Sequence, residues 1–287
     1  MRSRTALATL VAVLLAACST GGGPTPSPSA TAAPPTEGVP ASPSAEPSVE
    51  PVELTVYGAA SLKGALEAAK AAYEADHPGM TVTLATDSSS ALETQIEQGA
   101  PADVFLAADT TNPQKLIDGG FADGEAVVFA GNKLTIIAPT DNPAGLTSPF
   151  DLGKSGVQVV AAGDEVPITK YATQLVENLA ASGGAPADFA AAYAANVVSK
   201  EDNVAAVRTK IELGEGDGAI VYVTDAAASD NVTVIEVPDD VNVPASYAGV
   251  VVKASEHVDA AETFLEWFAG PDGQAILAGF GFLPPAS

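Results

Sequence analysis

From residue 53 onward, apolar and polar positions follow two alternating periods. Short runs of strand character are each followed by segments in which apolar residues recur every three or four positions. Residues 54–57 read as a strand, and the segment behind them carries Leu62, Leu66, Ala69 and Tyr73 on one helical face. A second strand is expected at 80–85, a short helix with Leu92 and Ile96 turned inward, and a third strand at 104–107. Residues 113–117 predict a short helix stopped by Gly119 and Gly120, and 134–138 another strand. After a Pro/Gly/Asn stretch the alternation resumes. A strand is expected at 157–161, then a helix at 167–179 with Ile168, Tyr171, Leu175 and Leu179 on one stripe, then a helix at 189–193. Val204, Val207 and Ile211 mark a further helix, and 219–222 a buried strand. Strands at 232–237 and 247–252 and a helix at 260–268, bearing the single tryptophan Trp267, complete the pattern. This order predicts an α/β protein built from parallel units, with no repeat of fixed period.

The first 51 residues follow different rules. Arg2 and Arg4 precede an apolar run at 6–17 that is too short to span a bilayer permanently, so 1–18 reads as an export signal. It closes on Leu15, Ala16, Ala17 and Cys18, which resembles the lipobox of bacterial lipoproteins, whose cysteine becomes the lipidated first residue. Cys18 is the only cysteine in the chain, and it falls at that one position. Residues 19–51 are almost wholly Ser, Thr, Pro, Ala, Gly and Glu and lack the large apolar residues a core requires. They are expected to form a disordered tether with a reach of at most about 100 Å at roughly 3.1 Å per residue.

Composition then narrows the function. Of 287 residues, 36 are acidic and 12 basic, a formal charge of -24 that repels nucleic acid and anionic lipid surfaces. A lone cysteine excludes an internal disulfide framework and any multi-cysteine metal site. The two histidines, His77 and His257, both stand at expected helix ends, where solvent-facing roles suffice. No Gly-x-Ser-x-Gly elbow is present, and no histidine is placed to partner Ser61 in a triad. The glycine-rich 214–218 follows a helix and precedes a strand, the wrong order for cradling a phosphate, and reads as a turn.

Candidate chemistry lies instead at junctions where a strand ends and a helix begins, because ligands of open α/β sheets bind outside the carboxyl ends of strands. Ser61 follows the first strand and Ser88, Ser89 and Ser90 follow the second; later junctions fall at Val166-Pro167-Ile168 and Asp202-Asn203-Val204, and Tyr222 ends a strand just before Thr224 and Asp225. A serine before a helix is ordinarily an N-cap. Ser90-Ala91-Leu92-Glu93 has the spacing of a capping box, which assigns Ser90 to the helix and leaves Ser89 free. Val204 is most simply a core residue whose backbone N–H alone would matter, and Tyr222 fits a half-buried strand position.

The blocks YGAASL, DSSSALETQIEQGAPADVFLAAD, VPITKYA, EDNVAAV, GAIVYVTDA and GFGFLP together resemble the periplasmic molybdate-binding proteins of ABC importers, over residues 54–284. The resemblance implies a two-lobed type II periplasmic-binding-protein fold, with lobe one at 52–131 plus 239–287, lobe two at 132–238, and the ligand in the cleft between them. It implies that the oxyanion is held by the hydroxyls of Ser61, Ser89 and Tyr222 and by backbone N–H groups at the two serines, Ile168 and Val204. Molybdenum would enter only as the bound oxyanion, without protein–metal bonds, and molybdate or tungstate would be the transported ligand rather than a cofactor. A membrane permease is the implied partner, and a monomer lipid-anchored through Cys18 to the outer face of the cytoplasmic membrane is the expected state. Ile168 and Thr169 depart from the small residue and glycine often found there in the family. Neutral donors at helix starts reconcile an anion ligand with the acidic surface. Three alternatives are a receptor for sulfate or another small oxyanion, an extracytoplasmic serine hydrolase using Ser61 or Ser89, and a tethered protein-interaction domain.

Overall fold

The apolar run expected as the first strand becomes an interior strand of a sheet, between two parallel neighbours. In the computed structural model, which describes residues 51–285, it spans Val52–Ala59 (β1). A 3-10 turn at Ala60–Leu62 leads into α1 (Lys63–Asp76), then β2 (Met80–Asp87), α2 (Ser89–Glu97), β3 (Val104–Ala107), α3 (Thr111–Asp118) and β4 (Val127–Asn132). The chain continues through β5 (Leu134–Pro139), β6 (Val159–Ala162), α4 (Pro167–Ala181), α5 (Phe189–Asn196), β7 (Val197–Glu201) and α6 (Val204–Glu212). Next come β8 (Ala219–Tyr222), α7 (Val223–Ala227), β9 (Val232–Ile235), β10 (Ala245–Val251), α8 (Val258–Ala269) and α9 (Pro271–Gly279). The export signal, Cys18 and the tether up to residue 50 lie outside the described residues.

The strands form a five-stranded sheet of order β2-β1-β3-β10-β4, a three-stranded sheet of order β8-β5-β9, and the parallel pair β6-β7. A single parallel bridge, Val159 to Gly218, ties that pair to the stretch just before β8. β1 lies parallel to both β2 and β3, as the alternation of elements predicts. The remainder corrects that expectation. β10 runs against β3 and β4, and β5 runs against β8 and β9, so both larger sheets are not purely parallel. Direction is not written in a strand's period; it follows from where the connecting chain returns.

β3 shows why these residues make a strand. Fully buried, it sends Val104 and Leu106 to one face and Phe105 and Ala107 to the other, each into its own apolar cluster. Leu92 and Ile96 of α2 and Leu116 of α3 cover one face, and Leu66 and Tyr73 of α1 with Phe264 and Phe268 of α8 cover the other. Each such buried side chain contributes about 1.5–3 kcal/mol.

β4, β7 and α9 lie outside the elements expected from sequence. β4 leaves Val127 and Val128 exposed at the sheet edge and is separated from β5 by Lys133 alone, so the two strands read as one. β7 alternates half-buried and exposed residues, without a continuous apolar run. α9 contains Gly273, a poor helix former that is required there, since a Cβ would fall 1.9 Å from the Phe268 carbonyl oxygen. His77 caps the C-terminus of α1, stacked on Tyr73 at 4.0 Å between ring centroids, and His257 stands at the N-cap of α8.

Candidate functional site

β1 and β2 are paired in register, Ala59 beside Asp87, so the segments leaving their carboxyl ends start side by side. The first carries Ser61 in its 3-10 turn and the second carries Ser88 and Ser89 into α2. β6 and β7 repeat the arrangement: Ala162 lies beside Glu201, and the segments beyond open α4 at Pro167 and α6 at Val204. Tyr222 ends β8. One cavity is lined by Ser61, Ser89, Ile168, Val204 and Tyr222 together, with Ser88 and Asn203 among its further walls. It encloses about 210 Å³ counting its mouth. It is a site for something small.

The serines do not divide their work as their spacing predicts. Ser88, not Ser90, caps α2: its backbone is extended (φ -62°, ψ 144°) and its Oγ accepts the Ala91 N–H at 3.2 Å. An N-cap must have left helical geometry, and β2 runs through Asp87, so the change from strand to helix falls at Ser88 and Ser90 is already inside the first turn. Ser90 Oγ lies 3.2 Å from Ser88 Oγ, and the buried Glu93 faces Lys115 Nζ at 3.8 Å. The capping box at Ser90 and Glu93 is therefore not formed. Ser89 is not idle either, because its Oγ accepts the Ala108 N–H at 3.0 Å. That bond uses one of its two lone pairs and leaves its own proton. Ser61 Oγ lies 2.9 Å from the Tyr247 hydroxyl.

The side chains of Ile168 and Val204 are buried in the core, and both residues sit in the first turn of a helix, where backbone donors have no partner within the helix. In α4, Pro167 has no N–H and Thr169 donates to Val166 O at 2.9 Å, which leaves the Ile168 N–H. Thr169 turns its hydroxyl to Gly163 O at 2.7 Å, so both residues that depart from the small-glycine pattern have a place that keeps this N–H available. In α6, Asn203 Oδ1 caps the Ala206 N–H at 3.0 Å and Val207 donates to Asn203 O at 3.2 Å, which leaves the N–H groups of Val204 and Ala205, and of these two residues Val204 lines the cavity. Asn203 Nδ2 also reaches Asp87 Oδ1 at 2.9 Å, and the same oxygen accepts the Ser88 N–H at 2.8 Å. One carboxylate thereby links the cap of α2 to the cap of α6.

Tyr222 is fully buried and its hydroxyl has no hydrogen-bond partner among the described residues. Such an orphan costs about 1–3 kcal/mol. Burial pushes its pKa well above the usual phenol range, and the neighbouring Tyr247 and Tyr171 add to the effect, so it stays protonated as a neutral donor. No lysine or arginine is among the lining residues, and neither histidine is. Among the described residues, no group of three or more His, Cys, Asp or Glu side chains is placed to hold a metal ion directly. The cavity therefore offers hydroxyls and helix-start N–H groups, the donor set suited to an anion.

Sequence reasoning missed four residues that build this site. Ser88 and Asn203 carried the signal of helix caps, but the first was passed over for Ser90. Tyr247 and Asn132 had no local signal: Tyr247 lies 186 positions from the Ser61 it touches, and Asn132, whose Nδ2 reaches the Tyr247 hydroxyl at 3.3 Å, lies 115 positions from Tyr247.

Residues 54–283 match the family model of bacterial extracellular solute-binding proteins. The molybdate-binding protein ModA of Mycobacterium tuberculosis (strain H37Rv) is 33% identical over 247 residues, covering 86% of this chain and 90% of that protein. The solved structure of the Azotobacter vinelandii periplasmic molybdate-binding protein is 26% identical, with a TM-score of 0.68 over 81% of this chain and all (100%) of that one. The sulfate-binding protein SubI of Mycobacterium tuberculosis, 21% identical, shares the fold with a TM-score of 0.72 over 81% of this chain and 86% of that one. The mixed α/β architecture is thus the two-lobed fold of periplasmic solute-binding proteins. By its match from residue 54 to residue 283, and by its identity to relatives across most of their length, the chain belongs to the bacterial extracellular solute-binding protein family.

Proposed function

We propose that this protein binds molybdate, and tungstate by the same geometry, outside the cytoplasmic membrane and delivers it to the permease of an ABC importer. The observation that carries this reading is the orphan hydroxyl of Tyr222, buried in the wall of the cavity that Ser61 and Ser89 also line. A fully ionised tetrahedral oxyanion supplies acceptors on every side and would satisfy the Tyr222 hydroxyl, the two serine hydroxyls and the N–H groups of Ile168 and Val204 at once. Hydrogen phosphate carries an O–H, which would face a wall of N–H groups and hydroxyls turned as donors and be the poorer fit. The name and function of the relatives at 33% and 26% identity favour the same ligand. Sulfate is the second reading, and the difference between the two dianions is one of size.

The hydrolase alternative falls away: the family is one of solute-binding proteins, and neither serine has a histidine in the cavity. We assign lobe one to 52–131 plus 239–287 and lobe two to 132–238. Strand membership supports the division, since the five-stranded sheet draws on β1–β4 and β10 and the other sheets on β5–β9. Ser61 and Ser89 then belong to one lobe and Ile168, Val204 and Tyr222 to the other, so ligand contacts stabilise the closed form. The receptor acts as a monomer held by lipid on Cys18, and Cys18→Ser should release it from membranes into the soluble fraction; retention in the membrane would refute the anchor.

The deciding experiment is thermal unfolding with molybdate, tungstate, sulfate and phosphate in turn. At a thousand times its dissociation constant a ligand stabilises the native state by about 4 kcal/mol. A shift with molybdate and tungstate and none with phosphate is expected. No shift with molybdate or tungstate refutes the proposal.

A further inference from the structure

We propose that Tyr247 and Asn132 are positioning residues that fix the Ser61 hydroxyl as a donor to the bound anion and so set the site against anions that carry a proton. This inference rests on the oxyanion reading given above and adds to it how one of the donors is held.

The direction of each hydrogen bond follows from the chemistry of the groups. Asn132, at the end of β4, has no exposed surface. Its Oδ1 accepts the Lys133 N–H at 2.9 Å, and because a backbone N–H only donates, this bond identifies the oxygen end of the amide. The Nδ2 end therefore faces Thr224 Oγ1 at 2.9 Å and the Tyr247 hydroxyl at 3.3 Å, and an amide nitrogen can only donate. Tyr247 is buried beside Asn132, so its oxygen accepts from the amide and its single proton remains for Ser61 Oγ at 2.9 Å. With that lone pair engaged, the proton of Ser61 turns to the cavity that Ser61 lines.

The opposite serine is held by the same logic. The Ala108 N–H occupies one lone pair of Ser89 Oγ, whose own proton is likewise left for the cavity. A serine hydroxyl is by nature both donor and acceptor and would accommodate either a bare oxygen or an O–H on a ligand. On each serine one of the two lone pairs is taken by a protein donor, which turns the hydroxyl proton to the cavity and biases the pair toward donation. The second proton of the Asn132 amide goes to Thr224, two positions beyond Tyr222, so one buried side chain contacts both Tyr247 and the short helix that follows Tyr222.

The test is a double-mutant cycle read by calorimetry, with hydrogen phosphate as a competitor. Tyr247→Phe keeps the buried ring and removes the oxygen. Molybdate affinity should fall about tenfold, and phosphate should compete better relative to molybdate than it does in the wild type, because the Ser61 proton is no longer held toward the ligand and the hydroxyl is free to turn and accept. In a Ser61→Ala background the same substitution should change molybdate affinity less than twofold. Asn132→Asp, nearly the same size, replaces the donor by an acceptor that draws the Tyr247 proton away from Ser61; it should reproduce both effects and stands in if Tyr247→Phe fails to fold. Equal losses with and without the Ser61 hydroxyl, or an unchanged phosphate-to-molybdate ratio, would overturn the inference while leaving molybdate binding intact. A wild-type protein that binds neither molybdate nor tungstate overturns the underlying reading and this inference with it.

Discussion

Tyr222→Phe separates a residue kept for a ligand from one kept for the fold, because the two roles predict opposite signs. In the folded protein the Tyr222 hydroxyl is buried and unpartnered, while its ring packs between Tyr171 and Tyr247 at centroid distances of 6.3 and 5.7 Å. The substitution keeps the ring and removes an oxygen whose burial costs about 1–3 kcal/mol. The ligand-free protein should therefore lose no stability and gain up to that amount, each kcal/mol appearing as about 2–4 °C in Tm for a domain of this size. In the complex the same hydroxyl donates to an anion, a bond worth about 1.5–3 kcal/mol, so the dissociation constant for molybdate should rise roughly 10- to 150-fold. Differential scanning fluorimetry without ligand and calorimetry with molybdate measure the two halves. A Tm that falls by several degrees, or an affinity equal to that of the wild type, refutes the assignment of Tyr222 as a ligand donor.

Two further outcomes follow from the geometry. Ser88→Ala removes the side-chain cap of α2 and should cost about 1 kcal/mol of stability in denaturant unfolding, whereas Ser90→Ala removes only a contact to Ser88 Oγ at 3.2 Å and should stay within about 0.5 kcal/mol; the reverse order would restore Ser90 as the cap. Burial pushes the Asp225 carboxyl up to about 7 against the lowering influence of Arg208 and of the Tyr222 N–H. Its folded-state pKa thus lies above the unfolded value of 3.8, so the native state holds a proton between those values that the unfolded chain does not. The stability this group contributes is present at low pH and lost as pH rises through that window. Asp225→Asn, neutral throughout, should flatten the pH dependence of Tm between about pH 4 and 7, and parallel curves for the two proteins would show that the carboxyl titrates normally.

The helix and strand periods were legible because burial on one or both faces imposes them. Residues 104–107 and 219–222 could be bounded to the residue since each is a short apolar run between turns and is buried throughout. Strand-to-helix junctions could be found for the same reason, and a ligand site at the carboxyl ends of strands follows from how such units are built. What the sequence could not settle was which of three adjacent serines caps the helix. That depends on where β2 stops pairing with β1, and the pairing persists to Asp87. One residue of difference in that end point passes the cap from one serine to the next.

Sequence alone determined the acidic character of the chain, the α/β class, and five residues able to offer donors at strand ends. Those properties reside in composition and local periodicity, which do not depend on distant neighbours. Tertiary structure alone decided that the five residues line one cavity, that β10 turns back against β3, and that Tyr247 reaches Ser61 across 186 positions. The direction of a hydroxyl proton is set by the groups around it, and those groups are assembled only when separate segments pack together.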